Sequence, residues 1–89
     1  MSQRYAVFLQ PTAPPELFEV FDEYLLKHGS LNYLLCVSVE PSSNFCEFSA
    51  VNKDTLDRPW KVQIPFGYVL AIVDVTKGKH PPGFLPDVP

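Results

Sequence analysis

Apolar and polar positions follow two different rhythms along this chain. The stretch RYAVFLQ (residues 4–10) is apolar on both faces of an extended backbone, which predicts a central strand. Residues 16–27 shift to a helical period. On a wheel of about 100° per residue, Leu17, Phe18, Val20, Phe21, Tyr24 and Leu25 fall on one side, and Glu16, Glu19, Asp22, Glu23 and Lys27 on the other. The prolines ahead of this stretch suit a first helical turn, its acids suit the positive helix end, and Gly29 reads as the C-terminal stop.

Two strand pairs follow. NYLLCVSVE (residues 32–40) and FCEFSAV (residues 45–51) flank PSSN, a turn by composition. Pairing Glu40 with Phe45 sets Val39 opposite Cys46, Val37 opposite Phe48 and Leu35 opposite Ala50, giving one wholly apolar face. The reverse face then carries Leu34, Cys36, Ser38, Glu40, Phe45, Glu47, Ser49 and Val51. After the polar connection NKDTLDRP, WKVQI (residues 60–64) and YVLAIVDV (residues 68–75) flank PFG. Pairing Ile64 with Val69 aligns Val62 with Ala71 and Trp60 with Val73, and its reverse face shows Tyr68, Leu70 and Ile72.

The predicted order is β-α-β-β-β-β. This describes a single small α+β domain over residues 1–79, mainly antiparallel sheet with one amphipathic helix on one face. A Pro-rich C-terminal tail, residues 80–89, follows it. The tail holds the sequence HPPGFLPDVP, whose prolines favour a stiff polyproline conformation presenting Phe84 and Leu85. It reads as a strap for the chain's own core, for a second subunit or for a partner.

The length of 89 residues suits one domain with one modest core, and the 46% hydrophobic, 19% charged composition is that of a globular protein. The formal charge of −3 and the scattered basic residues leave no basic stripe, so nucleic-acid binding is not expected. The five-residue apolar run near the N-terminus is too short for a signal-peptide core or a membrane span, which gives a cytoplasmic expectation and no membrane partner.

The side chains that carry chemistry form no familiar arrangement. The strand register places Cys36 and Cys46 on opposite faces, so they read as free thiols, in keeping with a reducing compartment. No CxxC, HxxxH or HExxH spacing exists, and no metal or cofactor is expected. His28 reads as a helix C-terminal residue favoured by the dipole. The serines lack a GxSxG elbow, and no glycine-rich phosphate cradle is present. The expectation is a protein that is not an enzyme.

Contact surfaces are the remaining feature. Glu16, Glu19 and Glu23 surround Leu26, an anchor ringed by steering charges; with Phe84 and Leu85 they form the expected partner-binding set. Leu34, Phe45, Tyr68, Leu70 and Ile72 form the expected oligomer interface on the sheet face away from the helix. Asp54, Asp57, Arg58 and Trp60 are the candidate ligand residues, although Asp54 and Asp57 flanking Leu56, with Arg58 adjacent, more often make a capped turn with a local ion pair. The leading expectation is a small non-enzymatic protein-binding protein, an inhibitor or adaptor that blocks a surface of a larger protein and forms a homodimer. By size and charge class alone it is comparable to phage-encoded inhibitors and toxin-immunity proteins. The competing classes are a homo-oligomer that binds a small ligand, nucleotide or metabolite, and a structural subunit that docks through its tail.

Overall fold

The computed structural model describes residues 3–76. They form a mostly antiparallel sheet with one short helix, in the order β1 (Tyr5–Leu9), α1 (Pro15–Val20), β2 (Leu25–His28), β3 (Leu31–Pro41), β4 (Phe45–Ala50), β5 (Trp60–Pro65), a single 3₁₀ turn (Phe66–Tyr68) and β6 (Val69–Asp74). Phe84, Leu85 and the rest of the Pro-rich tail lie outside the described residues.

The apolar run of β1 is central, as its two-faced pattern predicts. It pairs with β3 on one side, Tyr5 opposite Cys36, and with β6 on the other, Tyr5 opposite Asp74. The sheet runs β5-β4-β3-β1-β6, with β2 also paired to β3. Because β1 occupies one edge of β3, β2 and β4 share the other edge end to end: β2 against Leu31–Leu34, β4 against the stretch from Cys36 to Pro41.

The helix is much shorter than its pattern predicts. It stops at Val20, the chain turns, and residues 25–28 become β2. Leu25–His28 and Leu31–Leu34 close around Gly29-Ser30, where Gly29 has φ 64°. A two-residue hairpin loop wants a positive φ at its first position, and glycine supplies that without Cβ strain. Gly29 is therefore a hairpin turn and not a helix stop. His28 accordingly sits in a strand, where its ring meets Phe8 edge-on at 6.1 Å.

The β3–β4 hairpin forms, but two pairs further along than expected: Pro41 faces Cys46, Glu40 faces Glu47 and Val39 faces Phe48. Ser42 tightens the turn by donating its N–H to the Phe45 carbonyl at 2.7 Å and accepting the Phe45 N–H at 3.2 Å. A bulge between Cys36 and Ser38 then reverses the alternation of everything before it. Leu34 and Cys36 turn inward, both fully buried, and Leu35 turns outward.

The second expected hairpin does not exist. β5 pairs with β4, Ile64 opposite Cys46, whereas β6 pairs with β1. The 3₁₀ turn between them adopts no positive φ at Gly67, so it does not reverse the chain into a neighbouring strand. It spans instead from one sheet edge to the other: Phe66 N–H donates to the Asn44 carbonyl beside β4, and Gln10 N–H beside β1 donates to the Tyr68 carbonyl, both at 2.8 Å. Opposite edges joined by three residues require a curled sheet.

The concave side holds the core. Val7, Leu9, Leu34, Cys36, Cys46, Phe48, Ala50 and Ile64 line it, and Phe21, from the turn after α1, plugs it. Leu17 and Phe18 of α1 pack against the same cluster, whereas Val20, expected on that side, is 60% exposed because the helix ends there. Among the described residues no helix is long and apolar enough to cross a membrane.

Candidate functional site

The junction where β2 ends and β4 begins on the edge of β3 creates the main concavity. As β4 finishes, Val51 N–H donates to the Leu35 carbonyl at 2.9 Å, and the chain swings out into residues 52–59. Asn52 builds that loop. Its side-chain oxygen accepts from the Asp54 N–H at 2.8 Å and from the Thr55 hydroxyl at 3.2 Å, and its own N–H donates to Thr55 Oγ1 at 3.1 Å. Its amide nitrogen reaches the Glu23 carbonyl at 3.4 Å, tying the loop to the turn ahead of β2. Asparagine suits this position because its side chain mimics a backbone turn.

Between the loop and β2 lies a groove of about 620 Å³. Tyr24, Leu35 and Val51 line its floor, and Leu26 from β2 and Leu56 from the loop stand in it. These two leucines are 42% and 51% exposed. Glu23, Lys53 and Asp54 supply the charged rim. A smaller groove of about 350 Å³ is lined by Phe18 and Leu25, with Glu19, Asp22 and Lys27 around it. The residues linking α1 to β2 contribute to both.

The predicted sites are redistributed by this geometry. Glu23, Leu26 and Asp54, assigned from the sequence to two different sites, share one groove; Glu19 lines the other, and Glu16 is exposed on the first turn of α1. Asp57 and Arg58 form an exposed ion pair at 3.7 Å and do not line the groove. Trp60 packs instead against Tyr24, the rings tilted at 5.2 Å, and meets Phe21 edge-on at 5.6 Å, forming an aromatic wedge behind the groove. The four candidate ligand residues therefore do not converge.

The expected oligomer face is not one face. Leu34 is fully buried in the core, because the Cys36/Ser38 bulge turns it inward, and Tyr68 and Ile72 pack against that core. Only Phe45 and Leu70 remain well exposed, at 44% and 45%, and they stand on β4 and β6, which β3 and β1 separate. These residues therefore form no contiguous surface for a homodimer. Tyr24, Leu35, Val51, Asn52, Lys53 and Leu56 complete the groove and belong to none of the sites expected from the sequence. A lone leucine inside the polar run NKDTLDRP was the available signal.

The cysteines are both free and both buried. They do not lie on opposite faces: the bulge brings Cys36 to the concave side with Cys46. The strand partner of Cys36 is Ala50, four residues along β4 from Cys46, so the two cysteines are not cross-strand partners. Burial pushes the Cys36 thiol up to about 12, with the Cys46 thiol adding to the rise. Burial also raises the Cys46 thiol. Cys36 Sγ donates to the Leu34 carbonyl at 3.7 Å. Protonated, enclosed thiols are poor nucleophiles and poor metal ligands. Among the described residues no three His, Cys, Asp or Glu side chains gather as a metal site would require.

No family model matches the chain, and neither a curated protein nor a solved structure does.

Proposed function

We propose that this is a small non-enzymatic protein-binding protein, an inhibitor or adaptor that covers a surface of a larger protein through the Leu26–Leu56 groove. One observation carries the reading. Two aliphatic side chains on separate elements stand 42% and 51% exposed across one apolar concavity with charges at its rim. Desolvated apolar anchors inside a polar rim are the anatomy of a protein contact, and anchors of this kind dominate binding energy.

The test is affinity capture from lysate of the source or host, with the tagged protein beside a Leu26→Ser/Leu56→Ser variant. Both side chains are exposed, so the variant keeps its fold, which thermal unfolding verifies. A stoichiometric protein that binds the parent and is lost from the variant is the expected result. The same proteins on both baits would sink the groove as the contact surface.

A further inference from the structure

The charges around the groove say what kind of partner segment fits it. Glu23 and Asp54 border one concavity against Lys53, and Glu19 and Asp22 border the other against Lys27. Among the described residues the ion pairs are Asp57–Arg58 and Glu47–Lys61, neither of which involves these acids. The acids on both sides of residues 21–24 therefore face solvent with their charge uncompensated by a contact, around floors made of Tyr24, Leu35 and Val51 on one side and Phe18 and Leu25 on the other.

We infer that the groove takes a basic segment of a partner protein, an aliphatic side chain seated between Leu26 and Leu56 and flanked by arginine or lysine that reach Glu23, Asp54 and, across the turn, Glu19 and Asp22. This rests on the groove being a protein contact. The apolar floor supplies the burial, and the acids supply steering and register. Complementarity also argues against other occupants. A second copy docked through this surface would set acid against acid, and the phosphates of nucleic acid or an anionic membrane would meet the same repulsion. Lys53 is the one cation of the main rim and opposes a basic segment there.

The experiment is calorimetric titration with two blocked peptides, acetyl-(Arg-Leu)₄-amide and acetyl-(Glu-Leu)₄-amide. The Arg–Leu peptide is expected to bind, more weakly as salt rises, whereas the Glu–Leu peptide is not. Leu56→Ser abolishes the binding. Lys53→Glu tightens it by about 2- to 5-fold and Glu23→Lys weakens it by a similar factor, the scale of an exposed charge pair. Equal binding of both peptides, binding indifferent to Leu56, or no tightening with Lys53→Glu would overturn the inference. So would failure of the Arg–Leu peptide to bind. Loss of a captured protein from the Leu26→Ser/Leu56→Ser bait would then leave the protein contact standing without its basic occupant.

Discussion

Cys36 shows how much one side chain's surroundings decide. Its thiol is fully buried and donates to the Leu34 carbonyl, and burial raises its pKa to about 12. The unfolded chain releases that proton near the ordinary thiol value of 9.0, so above it the unfolded state binds fewer protons than the native one. Stability contributed by Cys36 is thus intact below that value and is lost as pH climbs from there toward 12, at about 1.4 kcal/mol per unit. Denaturant unfolding at pH 8, 9 and 10 should show this decline, and Cys36→Ala should lessen it, the remainder belonging to Cys46, whose thiol burial also raises. The native protein should also resist thiol reagents at pH 8 and react at both cysteines in denaturant. The bulge at residue 37 is what the sequence could not convey. Leu34-Leu35-Cys36-Val37 is apolar at every position, so the period-two pattern allowed either residue of each pair to face inward.

At the level of elements, the stretch from Pro15 to Leu34 is most informative. Its helical periodicity is real and its apolar side does reach the core through Leu17, Phe18 and Phe21. Hairpin formation overrides that periodicity from residue 25 onward, because Leu25–His28 gains a full register with Leu31–Leu34 and Gly29-Ser30 closes it. The signal was present: two apolar-polar runs separated by Gly-Ser is a hairpin pattern as well as a helix stop. A Cβ at Gly29 meets no atom within 4 Å, so the whole effect of substitution there is backbone strain at φ 64°. Gly29→Ala should cost about 1 kcal/mol and Gly29→Val more, whereas Gly29→Asn should cost less, as urea midpoints will show. A neutral Gly29→Val would mean that the residue is not held in the left-handed region. The Leu26 side of the groove depends on this hairpin, so the same series should weaken partner capture in the same order.

For the whole molecule, the decisive fact is that β1 lies between β3 and β6. Two successive hairpins were the local expectation, and only the first formed. The two-faced apolar run of β1 demanded a partner on each side, and the last strand supplied the second. Tyr5 must find Asp74 across almost the whole described chain, and Arg4 N–H then donates to Thr76 Oγ1 at 3.0 Å. Pairing that remote makes folding slow for the size, on the order of milliseconds to seconds, which stopped-flow refolding should report. Relaxation in microseconds would contradict a sheet closed by its first and last strands. The groove is likewise a product of this long-range arrangement. It joins residues 23–26, 35 and 51–56, and no local pattern could have announced that they meet.

The aromatic wedge gives the protein its own optical gauge. Trp60 is the chain's one tryptophan, and its ring leans on Tyr24, whose other surroundings form the groove floor. Excitation at the red edge of the ultraviolet band addresses that indole alone, without any label. A group seated between Leu26 and Leu56 should meet Tyr24, which lines the same groove, and should shift the emission of Trp60 beside it, so occupancy is expected to be readable as light from the unmodified chain.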